Sequence, residues 1–311
     1  MVKCESAVWG GVIAAASQKD AMPMLQIGSI PIVRRIVISF QQAGIFPIVI
    51  ITGVDEEEVK SQLSDYGVIF IPNEHSACSE LFDSAKIGIR YLQGKCDRIV
   101  FSPVNVPMFT PNTLNKLICA EGDVVSPSYH GRAGHPLVLS ENVLNSTLAY
   151  DGGQGLRGVL AVVEHNRTFV TVEDKGILTS VHNEQELQAQ LAEHNQAILH
   201  PRVQLSFERE TLFFDARLKL LLFLISDTRN MRKACEAMAL SYGKAWSMIN
   251  RLEQELGYFV VARTQGGKRG GSTCLTEKGE AFLRAYQQYE ESVFQFTQSK
   301  FHELFILSKI M

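Results

Sequence analysis

Short apolar runs alternate with longer amphipathic runs along the first third of the chain. These runs occupy residues 7–16, 32–43, 47–53, 56–66, 68–72, 81–92 and 98–104. The alternation is typical of βαβ units, and it predicts an α/β domain whose mostly parallel sheet carries helices on both faces. Because ligands bind beyond the carboxyl ends of such strands, we expect a site at the loops that follow Ala16 and Val104.

A second pattern, nearer the C-terminus, predicts two short helices joined by a tight turn. The first helix spans residues 230–239, and the second spans residues 241–256, with Ser241 as its N-cap and Gly257 as its stop. Its predicted buried stripe consists of Ala245, Ile249 and Leu252. The residues left on or beside its open face are Lys244, Ser247, Asn250 and Arg251, which are types that reach phosphates and base edges.

A glycine-rich basic loop follows at residues 264–273. It places the pair Lys268-Arg269 between two Gly-Gly pairs. Glycine lets a loop follow a groove and lets backbone N–H groups approach phosphate, and the two cations supply positive charge. With the two preceding helices, this loop predicts a winged helix-turn-helix domain. Taken alone, the loop fits a mobile hairpin with solvated charges as well.

Length and charge support two domains with different partners. The 311 residues predict an α/β domain at 1–196, a linker at 197–207 and a winged-helix domain at 208–311. The whole chain has a formal net charge of −3, whereas residues 217–275 contain ten Lys or Arg and four Asp or Glu, a net charge of +6. One basic module in an acidic protein favours focused binding to double-stranded DNA.

The sequence gives no signal for a membrane, metal or disulfide protein. No apolar run approaches the roughly 20 residues that span a bilayer, and the N-terminus lacks a leader pattern. We therefore expect a cytoplasmic protein with no membrane partner. The six cysteines are scattered without a C-x-x-C pair, so neither a metal site nor a disulfide framework is predicted.

Four features of residues 208–292 carry a family resemblance: Trp246, Leu252-Glu253, the double-glycine loop and the run LTEKGEAFL. This region resembles the DNA-binding domain of the molybdate-responsive transport regulators and their LysR-type relatives. In that family the second helix enters the major groove and the wing follows the backbone. The resemblance implies a core-packing role for Trp246. It implies DNA contacts by Ser241, Tyr242, Lys244, Ser247, Arg251, Lys268 and Arg269.

Six segments of the first domain carry a second resemblance. They are VIAAA at 12–16, PMLQIGS at 23–29, LFDSAKIGIRYL at 81–92, SPVNVPMF at 102–109, GRAGHPLVLS at 131–140 and GGQGLRGVL at 152–160. Residues 5–190 resemble the molybdenum-cofactor nucleotidyltransferases, which transfer CMP or GMP to molybdopterin. The resemblance implies a Rossmann-like nucleotidyltransferase-type sheet with helices on both faces.

The residues that carry the transfer chemistry in that family are largely replaced. The loop at 15–23 has no glycine or arginine, and Met22 stands at the family's lysine. Asn105 replaces the Asp of the family's Asp-x-Pro metal motif, and Ser-Val-His-Asn at 180–183 replaces Asp-x-Asp-Thr. Because phosphoryl transfer relies on Mg²⁺ held by carboxylates, these replacements predict a pseudoenzyme domain that acts as a sensor or scaffold.

Retained residues still predict a pocket for a nucleotide, pterin or related effector. The candidate ligand contacts are Ala16, Ser17, Lys19, Asp83, Asn105, Gly134, His135 and Arg157. Arg157 is retained although the neighbouring family Asp is replaced by Gly153. His135 has a second interpretation, in which it orients a strand-end turn, and Asp83 has one as a charge at a helix N-terminus.

Two further runs predict helices. Residues 184–196, rich in Glu and Gln, predict a solvated helix. Residues 277–311 predict one or two amphipathic helices with the stripe Phe282, Tyr286, Tyr289, Val293 and Phe296. This stripe either packs on its own domain or pairs with a second copy, and we expect a homodimer that presents two reading helices to a two-fold operator.

Three functional hypotheses follow from the sequence. The first is a transcriptional regulator whose degenerate domain binds an effector. It has no certain cofactor. The second is an active nucleotidyltransferase fused to a DNA-binding domain. This enzyme would use Mg²⁺ with CTP or GTP. The third is a DNA-bound scaffold that recruits a protein partner.

Overall fold

The computed structural model describes residues 7–16, 22–151, 153–162, 167–182, 184–264 and 272–308. The chain divides into two compact units, Met1–Leu199 and His200–Met311. This division lies within the predicted linker. Among the described residues, no helix is long and apolar enough to cross a membrane.

The first unit alternates strands and helices. Its elements are β1 (Trp9–Ala14), β2 (Gln26–Ile27), β3 (Ile30–Pro31), α1 (Ile32–Gln42), β4 (Ile48–Thr52), α2 (Glu56–Leu63), β5 (Ile69–Pro72), α3 (Leu81–Leu92), β6 (Arg98–Pro103), α4 (Pro111–Ile118), β7 (Val124–Tyr129), β8 (Arg132–Ala133), β9 (Leu137–Ser140), α5 (Glu141–Ala149), α6 (Gly155–Val162), β10 (Arg167–Thr171) and α7 (Glu184–Ala197). The seven predicted segments correspond to β1, α1, β4, α2, β5, α3 and β6.

The central sheet of this unit has the order β10-β7-β9-β6-β1-β4-β5, with β8 paired to β7. β1 is parallel to β4 and β6, β4 is parallel to β5, and β7 is parallel to β10. β9 is antiparallel to both of its neighbours, β6 and β7. β8 is antiparallel to β7 as well. The described sheet is therefore mostly parallel, as predicted, and β8 and β9 are its reversed strands.

Two adjacent glycines in β1 show that helices cover both faces of the sheet. A Cβ atom at Gly10 would lie 2.8 Å from Leu92 of α3, whereas one at Gly11 would lie 2.7 Å from Phe40 of α1. Successive strand residues point to opposite faces. The two helices therefore pack against opposite sides of β1, and each approaches closer than a side chain on the strand would allow.

The prediction that residues 184–196 form a helix is confirmed, but the prediction that the helix is solvated is wrong for one of its sides. The helix α7 forms, but Leu187 and His194 are buried, and Leu191 packs against the main hydrophobic core. The His194 ring lies between the backbone oxygen of Phe109 and the guanidinium of Arg35, at 3.2 Å from each. The Glu and Gln content of the segment concealed these few inward-facing positions.

The second unit is mainly helical. Its elements are β11 (Phe207–Glu208), β12 (Leu212–Phe214), α8 (Ala216–Thr228), α9 (Met231–Ala237), α10 (Tyr242–Leu256), β13 (Val261–Thr264), β14 (Ser272–Leu275) and α11 (Glu277–Phe301). Each of its four helices begins at a polar residue whose side chain accepts a backbone N–H of the first turn. These caps are Asp215, Asn230, Ser241 and Thr276.

The two predicted helices correspond to α9 and α10. Ser241 is the N-cap of α10, and Gly257 ends it in a left-handed conformation, with a φ of 73°. The predicted stripe Ala245, Ile249 and Leu252 is fully buried. These features were predictable because helix caps and helical periodicity are encoded within a few residues of the chain.

The amphipathic stripe of α11 divides into two parts. Tyr286 is buried, and its ring meets those of Phe207 and Phe214 at centroid distances of 5.4 and 4.7 Å. Tyr289 and Phe296 are 50% and 65% exposed. The first part of the stripe therefore packs on its own unit, which was one of the two alternatives that the sequence left open.

Candidate DNA-binding surface and candidate ligand cleft

One side of α10 is polar and exposed. The exposed residues on or next to this side are Ser241, Tyr242, Lys244, Ser247, Asn250 and Arg251. Two of them also take part in hydrogen bonds within the second unit. The Ser241 hydroxyl accepts the Lys244 backbone N–H at 3.4 Å, and Arg251 donates to the Leu212 carbonyl of β12 at 3.3 Å. Among the predicted DNA contacts, Tyr242, Lys244 and Ser247 are thus the exposed residues whose side chains form no hydrogen bond within the described part of the chain.

The hairpin formed by β13 and β14 is attached to α10 by one carboxylate. An oxygen of Glu253 accepts the backbone N–H groups of Val260 and Val261 at 2.8 and 3.0 Å. Hydrogen bonds to a charged acceptor are stronger than neutral ones. Glu253 thus fixes the start of the hairpin beside the C-terminal half of α10. This contact gives Glu253 a structural role, and Leu252-Glu253 is one of the features that carry the family resemblance.

The run LTEKGEAFL attaches the other end of the hairpin. The backbone N–H of Thr276 donates to the Val260 carbonyl at 2.9 Å, and its hydroxyl donates to the Phe259 carbonyl at 2.8 Å. A Cβ atom at Gly279 would lie 2.2 Å from the Val260 carbonyl oxygen. Only glycine fits this close approach, so the first turn of α11 clamps the base of the hairpin.

Trp246 was expected to pack in the core rather than to contact bases. Its ring is only partly buried, and the guanidinium carbon of Arg263 lies 3.4 Å from the ring centroid. Tyr242 meets the same ring edge-to-face at 6.1 Å. The sequence analysis did not single out Arg263. The sequence feature that could have identified Arg263 is its positive charge immediately before the basic loop.

Residues 265–271, between β13 and β14 in the sequence, lie outside the described residues. This part includes the predicted contacts Lys268 and Arg269. Ser17 and Lys19, two of the predicted ligand contacts, also lie outside them.

The first unit contains a cleft of about 600 Å³ at the carboxyl end of β6. It includes two of the predicted ligand contacts, Asn105 and His135. The cleft is lined by Cys78, Ser79, Glu80, Leu81, Phe82, Phe101, Pro103, Asn105, Val106, His135, Gln154, Gly155 and Leu156. Its position agrees with the expectation of a site after Val104.

Asn105 and His135 each present an unsatisfied polar atom. The side-chain oxygen of Asn105 and the Nδ1 atom of His135 are buried and have no hydrogen-bond partner among the residues that the structure describes. Backbone bonds fix both residues: Val181 donates to the Asn105 carbonyl at 2.9 Å, and the His135 N–H donates to the Ile177 carbonyl at 3.0 Å. Buried polar atoms are normally paired, so these two mark a position for a ligand or for water.

Burial keeps the His135 ring neutral. Desolvation, with a smaller contribution from the charge of Arg167, lowers the pKa of His135 to about 4. The ring packs edge-to-face on Phe101 at 6.0 Å. At neutral pH this imidazole therefore offers one donor and one acceptor rather than a positive charge.

Three of the other predicted ligand contacts pack or form hydrogen bonds within the first unit, and the fourth is exposed next to the cleft. Ala16 is buried, and its carbonyl accepts the Ser84 hydroxyl. Asp83 accepts the Glu80 backbone N–H at 3.0 Å as part of a capping box on α3, which supports its interpretation as a helix N-terminal charge. Gly134 packs against the Ile177 carbonyl, where a Cβ atom would lie at 2.3 Å. Arg157 is exposed on α6, beside the cleft residue Leu156.

The donors at this site do not fit Mg²⁺. Val181 contacts Asn105, so the two segments that would hold the metal in the resembled family do adjoin. They contribute a neutral amide, a serine and a histidine, whereas Mg²⁺ prefers carboxylate oxygens. In the described part of the chain, no group of three or more His, Cys, Asp or Glu residues could hold a metal ion.

Comparison with known proteins defines the class of each unit. Residues 19–169 match the model of the MobA-like NTP transferase domain. A nucleotidyl transferase from Methanothermobacter aligns with a TM-score of 0.53 and 18% identity, covering 62% of this chain and 99% of that one. Rv0371c from Mycobacterium tuberculosis H37Rv aligns with a TM-score of 0.50 and 17% identity, over 59% of this chain and 99% of that one. These structures share the fold of the first unit.

The C-terminal region is similar to proteins named ModE and MopB. It is 32% identical over 78 residues to the DNA-binding transcriptional dual regulator ModE of Escherichia coli, which is 25% of this chain and 30% of that protein. It is 36% identical over 73 residues to the molybdenum-pterin-binding protein MopB of Rhodobacter capsulatus, 24% of this chain and 27% of that protein. The chain thus joins a MobA-like NTP transferase domain to a ModE-like region and spans under a third of these relatives.

Proposed function

We propose that this protein is a DNA-binding transcriptional regulator whose NTP transferase-like unit senses an effector. The observation that carries the proposal is the exposed polar side of α10 beside a hairpin that Glu253 and Gly279 hold in place. It supports our interpretation of the second unit as a winged helix-turn-helix, a motif in which the second helix of the pair reads the major groove.

Local charge and similarity both support DNA as the partner. Residues 217–275 carry a net charge of +6 in a chain whose net charge is −3. Because cations that contact phosphates release counterions, such a surface binds DNA with a strong dependence on salt. The regulators that the C-terminal region is similar to include one named as DNA-binding.

Substitution of Lys244 tests whether α10 contacts DNA. Lys244→Ala removes an exposed cation from α10, and we expect weaker binding to a duplex from the protein's own upstream region, measured by fluorescence anisotropy across a salt series. Lys300→Ala removes a charge from the far end of α11, where Lys300 pairs with Glu303 at 2.7 Å, and serves as the control. Equal effects of the two substitutions would show that α10 is not the DNA-contacting element.

The effector site is the cleft that contains Asn105 and His135. Its unpaired polar atoms suit a ligand with complementary hydrogen-bonding groups, and nucleotides and pterins both carry such groups on a planar ring. One relative is named a molybdenum-pterin-binding protein, so a link to molybdenum metabolism belongs to the same proposal. Thermal shift with CTP, GTP and a pterin tests it: a ligand that stabilises the protein identifies the effector class, and no shift favours a scaffold without a ligand.

An active nucleotidyltransferase is the second candidate, and the fold of the first unit favours it. It predicts release of pyrophosphate from CTP or GTP in the presence of Mg²⁺ and molybdopterin. We expect no release, because Asn105 supplies a neutral oxygen where the transfer requires a carboxylate. Release that depends on Mg²⁺ would replace the sensor proposal with the enzymatic one.

We also propose that the protein forms a homodimer. Tyr289 and Phe296 on the second half of α11 are exposed aromatic residues, which suit a contact between two copies. Sedimentation equilibrium should give twice the chain mass of 34.6 kDa. A monomer at the concentrations that bind DNA would contradict this part.

A further inference from the structure

Arg263 is the most unusual cation of the second unit. It lies in β13, opposite Thr273 of β14, one residue before the strand ends. Its side chain is exposed, and its guanidinium carbon lies 3.4 Å from the Trp246 ring centroid. Within the described part of the chain, Arg263 makes no hydrogen bond or ion pair, in contrast to Arg251, which donates to the Leu212 carbonyl.

Trp246 forms part of an aromatic pair on α10. Tyr242 precedes it by one helical turn, so the two residues share a side of the helix, and their rings meet edge-to-face at 6.1 Å. Tyr242 is 53% exposed and begins the helix. Tyr242, Trp246 and Arg263 thus form a continuous column, here called the aromatic–arginine column, that runs from the start of α10 to the hairpin.

We infer that Arg263 is a DNA phosphate contact, and that Trp246 positions it by stacking. This inference rests on the proposed DNA-binding function. A guanidinium that stacks on an aromatic ring uses its flat face, so its N–H groups remain directed outward in the plane. That plane suits two parallel hydrogen bonds to a phosphate. The column fixes the arginine before DNA arrives, which lowers the entropy that binding would otherwise lose.

The anchoring of the hairpin strengthens the inference. Glu253 joins β13 to α10, and the Thr273 N–H donates to the Arg229 carbonyl at 3.0 Å, which joins β14 to the turn before α9. Arg263 therefore projects from a strand held at both sides rather than from a free loop. Its distance from α10 is set by the framework, so it can act together with the reading helix on one stretch of duplex.

A salt series distinguishes a phosphate contact from a purely structural stack. Arg263→Ala should weaken binding to the upstream duplex about tenfold, and it should reduce the slope of log affinity against log salt by about 0.9, the value for one phosphate contact. Arg263→Lys keeps the charge but not the flat guanidinium, so we expect an unchanged slope with part of the affinity lost. Arg284→Ala, an exposed arginine on α11, is the control.

The outcomes separate the two proposals. If the wild type binds the duplex selectively and Arg263→Ala retains the wild-type slope and affinity, the inference is overturned and the regulator proposal stands. If the wild type shows no selectivity, both fail. Thermal unfolding checks each variant, and if Arg263→Ala does not fold, the Arg263→Lys titration decides.

Tryptophan fluorescence tests the column independently of affinity. The chain has two tryptophans, Trp9 and Trp246, so Trp9→Phe leaves Trp246 as the single reporter. We expect Arg263→Ala to change its emission and to increase its quenching by acrylamide, because the guanidinium no longer covers the ring. Saturating duplex should reduce quenching in the Trp9→Phe protein. Quenching that neither Arg263→Ala nor DNA alters would contradict the column.

Discussion

The hairpin clamp of the second unit and the cleft of the first unit differ in how their polar groups are paired. In the second unit, the motif residues Glu253 and Thr276 attach a hairpin to two helices through hydrogen bonds. In the first unit, the cleft residues Asn105 and His135 keep polar atoms that are buried and unpaired. A satisfied group builds a scaffold, whereas an unsatisfied group costs stability unless a ligand pairs with it. A hairpin held by paired polar groups thus contrasts with a cleft that leaves two polar atoms unpaired among the described residues.

A second contrast lies within the first unit, between two histidines, one buried and one half-buried. Burial lowers the pKa of both His135 and His194 to about 4. His194 is fully paired, since one ring nitrogen contacts the Phe109 carbonyl and the other contacts Arg35. His135 has an unpaired nitrogen that lies in the cleft wall. The same chemical group is thus structural in one place and available to a ligand in the other.

The largest predicted effect is a loss of stability in acid that depends on His194. Its pKa is about 4 in the folded protein and 6.5 in the unfolded chain, so the unfolded state binds more protons between these values. The free energy of unfolding should therefore be undiminished above pH 6.5 and fall toward pH 4, by up to about 3 kcal/mol for this ring. A proton on the ring would face the Arg35 cation. Denaturant unfolding as a function of pH measures the loss.

His194→Gln is the matched variant, because an amide also offers a donor and an acceptor but does not titrate. We expect a shallower pH dependence of unfolding for this variant. An identical dependence would show that other groups cause the acid lability of this unit.

The next effect concerns the clamp on the hairpin. Gly279→Ala should lower the free energy of unfolding of the second unit by about 2 kcal/mol, because its Cβ would lie 2.2 Å from the Val260 carbonyl oxygen. Gly243→Ala is the control, since no atom lies within 4 Å of a Cβ there and alanine favours a helix by up to about 1 kcal/mol. Denaturant unfolding of both variants gives the comparison, and equal stabilities would refute the clamp.

The smallest effect has the opposite sign. Asn105→Leu should raise the free energy of unfolding of the ligand-free protein by about 1 kcal/mol, because it removes an unpaired buried oxygen. Thr113→Val should instead lower it, because the Thr113 hydroxyl donates to the buried carboxylate of Asp174 at 2.5 Å. The Asn105→Leu protein should also lose any thermal shift caused by the effector. A loss of stability in both variants would mean that Asn105 is a structural residue.

The sequence predicted the features that depend on neighbouring residues. The caps Ser241 and Gly257, the buried stripe of α10 and the order of the first strands and helices all follow from local spacing. It did not predict the burial of His194, whose partner Arg35 lies 159 residues away, or the stack of Arg263 on Trp246. These contacts depend on tertiary packing, which hydrophobic periodicity does not encode.

The candidate cleft was predicted only in part, because local spacing indicates some of its residues and tertiary packing decides the others. Asn105 follows a buried strand, so its place at the end of β6 was expected. Asp83, another candidate, is used instead in the capping box of α3. A carboxylate in the first turn of a helix has the same sequence signature whether it caps the helix or contacts a ligand.

The measurement that tests the central claim most directly is the ratio of two affinities. Fluorescence anisotropy of the full chain would compare a duplex from its own upstream region with a duplex of the same composition in scrambled order, at one salt concentration. The regulator account predicts preferential binding to the upstream duplex by at least about a thousandfold if it contains the operator. Equal affinities for the two duplexes, across every upstream segment tested, would contradict it.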